Sequence, residues 1–105
     1  YSTPQKPDFS KVAGVYSFEE PVGGEDITIS DDGKWKSSGS NEYCSFQYSG
    51  TVSKKKLLII EKGFRTCYDE ALEKDIRTEA TVGEEYGKIV NNTIVLNDGY
   101  VLEKQ

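Results

Sequence analysis

The chain has 105 residues, a formal charge of −5 and no histidine, and these properties exclude several classes of function. This length fits a single domain, and the acidic balance provides no basic face for nucleic acid or anionic lipid. Without histidine, the chain has no Ser-His-Asp or Cys-His catalytic group and no imidazole ligand for zinc. Valine, isoleucine, threonine and the aromatic residues number 34 against 8 alanines, leucines and methionines, which favours an all-β domain.

The first eight residues form a polar, proline-bearing segment that is expected to be a flexible leader. The chain begins at Tyr1 rather than methionine, which we interpret as the mark of a removed targeting segment. We therefore predict a leader over residues 1–8 and a single β-barrel domain over residues 9–105. A lipid anchor in the removed segment is compatible with this prediction.

Alternation of apolar and polar residues with a period of two predicts short strands along the rest of the chain. Residues typical of tight turns separate them. The predicted strands are 14–19, 26–30, 34–36, 43–53, 57–61, 76–82, 87–90, 93–96 and 100–103. Residues 69–75 have a helical composition, so at most one short helix is expected there. About eight strands joined by tight turns predict a small antiparallel up-and-down meander, closed or nearly closed into a barrel.

The two cysteines, Cys44 and Cys67, are either two unrelated buried thiols or one disulfide. We favour the disulfide, because the count is even and a domain this small gains much stability from a covalent link. No third cysteine is present to build a metal site with them. A disulfide implies an oxidising compartment, so an exported protein of the periplasm, the cell surface or the extracellular medium is expected.

The aromatic residues fall into two groups with different predicted roles. The first group occupies inward positions of the alternating strands, where it either fills the barrel or lines a pocket for a small apolar ligand: Tyr16, Phe18, Trp35, Phe46 and Tyr48. The second group flanks the two cysteines and is predicted to form an exposed patch for a protein partner: Tyr43, Phe64 and Tyr68.

The remaining clusters of charged residues have simple explanations as turns or solvated surface. Asp31-Asp32-Gly33 lacks the spacing of a calcium loop and is typical of a hairpin turn. No nucleophile elbow or phosphate-binding glycine motif occurs, and the longest apolar run, Leu57 to Ile60, is far shorter than the roughly 18 residues of a membrane span. We therefore predict no catalytic residues, no metal and no cofactor, and we do not expect an enzyme.

Two resemblances to known families support a small β-rich domain. Phe9, Lys11, Gly14 and Tyr16 resemble the F-x-K-x-x-G-x-W motif that opens lipocalin and other calycin barrels, with tyrosine in place of tryptophan. In those barrels the motif leads into the first strand and its aromatic residue plugs the barrel floor.

A second resemblance is to the small META/HslJ-like bacterial domains. Their order of landmarks is matched by Gly33, by Cys44 followed by Tyr48-Ser49-Gly50, by Arg65-Thr66-Cys67, and by the acidic stretch 69–75. Ser45 stands where those domains usually carry asparagine. Both families imply an exported bacterial protein, often a lipoprotein.

From these observations we expect a non-enzymatic, lipocalin-like binding domain of the cell envelope or the extracellular medium that takes a small apolar ligand. The alternative is a protein-interaction domain, for example an inhibitor or a surface adhesion module, with a filled barrel and no ligand cavity. Expected locations are the periplasm, the outer membrane as a lipoprotein, or the cell surface. The partner is then a small apolar ligand or an envelope protein, and not nucleic acid.

Overall fold

A computed structural model of the chain describes residues 9–105, which form nine β-strands and no helix. The strands are β1 (Gly14–Glu20), β2 (Gly23–Ile29), β3 (Lys34–Ser40), β4 (Cys44–Val52), β5 (Leu57–Asp69), β6 (Lys74–Glu79), β7 (Glu85–Val90), β8 (Thr93–Leu96) and β9 (Val101–Lys104). The all-β prediction is therefore confirmed. The predicted leader, residues 1–8, lies outside the described residues.

Eight of the strands close into an antiparallel barrel. The ring runs β1-β2-β3-β4-β5-β7-β8-β9 and returns to β1, and each neighbouring pair is antiparallel. The extra strand, β6, pairs with β5 outside the ring. The architecture is compatible with a lipocalin-like barrel.

Side chains fill the narrow interior, as expected for an eight-stranded ring. Alternation places the inward residues of each strand in the core, and the largest fully buried side chains are Trp35, Tyr16, Ile27, Ile29, Leu58, Ile94 and Leu102. Tyr16 and Trp35, two of the five aromatic residues predicted to point inward, are among them.

Residues 9–13 close one end of the barrel. The amides of Val12 and Ala13 donate to the carbonyl of Phe9, and the hydroxyl of Tyr16 donates to the carbonyl of Val12 at 2.7 Å. The Phe9 ring packs over Gly33, where a Cβ would come within 2.6 Å of the ring. The ammonium of Lys104 lies 6.0 Å from the centre of the Tyr16 ring. We call this the closed end.

Strands β4 and β5 extend beyond the barrel at the other end. The pairing between them is irregular at Ser49 and Gly50, after which β5 exchanges its neighbour β7 for β6. Residues 44–49, 62–69 and 74–79 then form a three-stranded sheet, which we call the ribbon. The structure confirms the Cys44–Cys67 disulfide, which joins β4 and β5 within the ribbon.

The strand boundaries differ from the prediction at two places that shape the ribbon. Strand β5 continues to Asp69, eight residues beyond the predicted end at Glu61. The short helix allowed near 69–75 is absent and a hairpin turn replaces it. The Asp69 carboxylate accepts a hydrogen bond from the amide of Leu72 at 3.1 Å, and Glu73 adopts a φ of +52°, which ends any helical path.

Candidate binding site

A cavity of about 230 Å³ opens at the barrel end opposite the closed end. Strand β3 runs from Lys34, beside the closed end, to Ser40, which lines this cavity. We call the cavity the mouth. Its lining comes from the ends of the barrel strands, their loops and the ribbon, and includes Phe18, Glu20, Glu25, Phe46, Arg65, Glu84, Glu85, Tyr86, Asp98 and Tyr100.

A buried carboxylate, that of Glu25, lines the mouth. Glu25 is only 4% exposed, because it lies on the same inward face of β2 as Ile27. Its Oε2 accepts a hydrogen bond from the Ser37 hydroxyl at 3.0 Å and another from the Tyr86 hydroxyl. Neither bond uses Oε1, and no buried side-chain oxygen of residues 9–105 lacks a partner. Oε1 therefore keeps some solvent-accessible surface, and Glu25 is one of the residues that line the mouth.

Burial controls the ionisation of this group. Burial raises the pKa of the Glu25 carboxyl above its usual range, while the hydrogen bonds from Tyr86 and Ser37 act in the opposite direction. Burial also raises the pKa of Tyr86, and the neighbouring Glu25 carboxylate adds to that effect. Tyr86 therefore remains a hydrogen-bond donor to Glu25 over the physiological pH range.

Aromatic rings line the mouth and pack against Tyr86, the hydrogen-bond partner of Glu25. Tyr86 stacks against Trp35 with ring centres 5.3 Å apart and contacts Tyr48 at 5.2 Å. Phe18 and Tyr100 stack nearly parallel at the rim, with ring centres 4.8 Å apart. These contacts hold Tyr86 in place and give the mouth flat apolar walls.

The charge lining the mouth is mainly negative. Five of its lining residues carry carboxylates, which are Glu20, Glu25, Glu84, Glu85 and Asp98, while Arg65 is the one cationic residue among them. The Arg65 guanidinium lies 5.6 Å from the centre of the Phe46 ring. The mouth thus already holds a cation against an aromatic face, which is a favourable arrangement.

The five residues predicted to line a ligand pocket divide between core and mouth. Phe18 and Phe46 line the mouth, whereas Tyr16 and Trp35 are buried in the filled barrel. Tyr48 packs against the core and contacts Tyr86 and Phe46.

The sequence prediction missed the polar centre of the mouth, Glu25 with Ser37 and Tyr86. A signal was present for two of them, since Glu25 precedes Ile27 by two positions and Ser37 follows Trp35 by two. The predicted second strand began at Asp26, one residue after Glu25, and the predicted third strand ended at Lys36, one residue before Ser37. Both residues therefore fell outside the predicted strands. No comparable pattern marks Tyr86, because β7 pairs irregularly with β5 where it begins.

The three residues predicted to bind a partner share one face of the ribbon. Tyr43 and Tyr68 are adjacent across the strands, where the Tyr68 amide donates to the Tyr43 carbonyl at 3.0 Å. Their side chains are 57% and 47% exposed. Phe64 lies on the same face of β5 but is half-buried, since the Arg77 guanidinium covers its ring at 3.8 Å.

Comparisons with protein-family models, curated proteins and solved structures give no significant match to this chain. Within residues 9–105, no helix has the length and apolar character needed to cross a membrane. The same residues contain no group of three or more cysteine, aspartate or glutamate side chains placed to hold a metal ion. We therefore infer function from the geometry and charge of the mouth.

Proposed function

We propose that the protein is a non-enzymatic, lipocalin-like binding domain whose mouth takes a small ligand with an apolar body and a positively charged group. The observation that supports this most strongly is the buried Glu25 carboxylate, which lines the mouth and uses one oxygen to accept from Ser37 and Tyr86 while the other accepts neither bond. A buried carboxylate is strongly stabilised by an opposite charge, because water no longer solvates it.

The walls of the mouth account for the apolar part of the ligand. Phe18, Phe46, Tyr86 and Tyr100 present ring surface to it. A cation that enters would lie between these rings and the carboxylates, so cation–π attraction and ion pairing act together. Arg65, already placed over Phe46, shows how a planar cation fits against the wall.

The size of the mouth limits the ligand. Its volume of about 230 Å³ lies below the roughly 300–1,000 Å³ of sites that hold drug-sized molecules. The barrel beneath it is filled by Tyr16 and Trp35, so a long ligand cannot extend into the interior. We propose a ligand of about one aromatic ring with a short amine-bearing chain.

The disulfide supports a location outside the reducing cytoplasm. Disulfides such as Cys44–Cys67 persist mainly in oxidising compartments. We therefore propose an exported protein of the cell envelope or the extracellular medium, in agreement with the locations inferred from the sequence.

Three probes that share one apolar body test the proposal. Phenethylamine is cationic at neutral pH, 2-phenylethanol is neutral and phenylacetate is anionic. We expect phenethylamine to bind most tightly and phenylacetate least, because the lining carboxylates favour positive charge. Fluorescence of Trp35, the single tryptophan, reports binding because its ring stacks on Tyr86 in the mouth.

Two variants make the titration specific to the mouth. Glu25→Gln keeps the shape and both hydrogen bonds of the side chain but removes its charge, so we expect it to weaken the preference for phenethylamine over 2-phenylethanol. Tyr43→Ser, on the exposed face of the ribbon, serves as the control and should retain that preference. Equal affinity of the unmodified protein for the cationic and neutral probes would contradict the proposed selection of a positive charge and would indicate a purely apolar ligand.

A second candidate function is a protein-interaction domain, and the ribbon favours it. Tyr43 and Tyr68 stand together on one exposed face, and the disulfide pairs the cysteines that follow and precede them. Exposed tyrosines on a rigid support are typical of binding hot spots. Failure of all three probes to bind would favour this candidate over a ligand-binding mouth.

A further inference from the structure

Strand β6 is an edge strand of the ribbon. It pairs with β5 on one side, and no strand among residues 9–105 pairs with its other side. The Ala80 amide donates to the Gly63 carbonyl, so main-chain groups at alternate positions along β6 point towards β5. The N–H and C=O groups of Asp75, Arg77 and Glu79 therefore point outward, towards the free edge.

A second copy of the same strand can pair with this edge only in certain registers. The two-fold axis that relates two antiparallel copies of one strand runs perpendicular to the sheet, so each side chain stays on its own face. A residue then lies opposite itself or opposite a residue an even number of positions away. The axis must pass through the position of one residue of β6.

The charges of β6, taken together with the length of the strand, select one of these registers. With the axis at Ile76, Asp75 lies opposite Arg77 of the second copy and Arg77 opposite Asp75 of the second copy. An axis at Arg77 would place Arg77 opposite Arg77 of the second copy, and Asp75 opposite Glu79 of the second copy. An axis at Asp75 would oppose two aspartates. An axis at Thr78 would also oppose unlike charges, Arg77 and Glu79, but only residues 77–79 of the two strands would then overlap, against residues 74–78 with the axis at Ile76. Directly opposed unlike charges stabilise a strand pair and like charges destabilise it.

The register centred on Ile76 also suits the main chain and the apolar residues. Asp75 and Arg77 have outward main-chain groups, so each opposed pair forms two reciprocal hydrogen bonds. Ile76 faces Ile76 of the second copy across the closer, non-hydrogen-bonded spacing. Since Ile76 is the cross-strand neighbour of Cys67, and Cys67 of Cys44, one apolar row would cross both ribbons.

We propose that β6 is a dimerisation edge, and that its partner is β6 of a second copy of this chain in the register centred on Ile76. Charged residues commonly protect an edge strand from pairing. Here their signs alternate so that the register centred on Ile76 is attractive while the registers centred on Asp75 and Arg77 are repulsive, and it overlaps more of the strand than the one centred on Thr78. Arg77 is now paired with Glu79 at 2.6 Å, but this pair is exposed and leaves Arg77 free to bind Asp75 of the second copy as well.

Charge reversal at the two opposed positions tests the proposal. Asp75→Arg places two positive charges on each edge, and Arg77→Asp places two negative charges. We therefore expect the dimer affinity of each variant alone to fall by about tenfold or more. An equimolar mixture of the two variants restores both unlike pairs and should dimerise as the original protein does. Sedimentation equilibrium from about 10 µM to about 1 mM covers the affinities expected for so small an interface.

A proline variant separates the edge from other surfaces. The Arg77 N–H points away from β5, so Arg77→Pro blocks edge pairing without removing a hydrogen bond of the β5–β6 ladder. We expect a folded monomer, with folding checked by Trp35 fluorescence and by retention of phenethylamine binding. Dimerisation of Arg77→Pro at the original strength would overturn the proposal. So would a monomeric original protein at the highest concentration, or a mixture no more associated than its two components.

Discussion

Glu25 is a buried residue whose ionisation is expected to make the stability of the protein depend on pH. Its pKa is raised above the usual 4.5 because burial removes water from the charged form. A group with a raised pKa binds its proton more tightly in the folded protein than in the unfolded chain. Its stabilising contribution is therefore fully present below the unfolded pKa and is lost as the pH rises through the folded pKa.

The change Glu25→Gln should remove this dependence. The amide oxygen still accepts hydrogen bonds from Ser37 and Tyr86 but carries no charge, so we expect the free energy of unfolding at pH 7 to rise by about 1 kcal/mol. Urea denaturation followed by Trp35 fluorescence, between pH 4.5 and neutral pH, measures the slope. Glu20→Gln, which removes an exposed carboxylate of the same mouth, is the control and should keep that slope. A Glu25→Gln variant less stable than the original protein at pH 7 would contradict this account.

Among the strands, β4 and β5 determine how the barrel and the ribbon join. Gly50 lies at the irregular pair where the two strands leave the ring, and a Cβ there would overlap the main-chain carbonyl oxygen of Ile59. Backbone atoms of two paired strands cannot move apart without breaking hydrogen bonds. Only glycine therefore permits the close approach at this point.

We expect Gly50→Ala to lower the free energy of unfolding by about 3 kcal/mol, the upper part of the range for an overpacked core position. Gly83→Ala is a matched control, because Gly83 has a φ of +89° but open space where its Cβ would lie. Its cost is conformational alone, about 1 kcal/mol. Urea denaturation of both variants, followed by Trp35 fluorescence, measures the difference. Equal losses of stability in the two variants would mean that the close contact between Gly50 and Ile59 adds nothing to the cost of the substitution.

The elements show which parts of the fold the sequence could predict. Alternation placed Tyr16 and Trp35 in the core and Tyr43 on a solvent-facing side of its strand, because period two follows directly from the pleat of a strand. The full length of β5 was missed because Gly63, with a φ of +152°, resembles a strand end. In the structure it packs against Tyr48 within a continuous strand. Glycine occurs both at strand ends and at close contacts within a strand, and only the pairing of β5 with β6 distinguishes the two cases here.

The candidate site was less predictable than the fold, for a related physical reason. Phe18 and Phe46 were found because each lies within a clear alternating run. The mouth depends on the ends of strands, where alternation is interrupted by turns such as the one before Gly23. The association of Glu25 with Tyr86, 61 positions away in sequence, follows from barrel closure through β7 and β8. No local pattern encodes such a contact.

At the scale of the whole molecule, the two ends of the barrel are built from different residues. The closed end is held by Phe9 over Gly33, by the Tyr16 hydroxyl on the Val12 carbonyl, and by Lys104, whose ammonium donates to the Lys11 carbonyl at 3.2 Å. None of these residues lines the mouth. Stability and the proposed ligand binding should therefore respond to different substitutions.

Phe9→Ala tests this separation. Phe9 is partly buried against the core, so its truncation should lower the free energy of unfolding by about 2 kcal/mol, less than for a fully buried ring. The affinity for phenethylamine should stay unchanged, because the charge and shape of the mouth do not depend on Phe9. Urea denaturation gives the stability, and a Trp35 fluorescence titration of the folded variant gives the affinity. If Phe9→Ala weakened binding as strongly as Glu25→Gln does, the filled core would transmit strain between the two ends, and the mouth would not be an independent site.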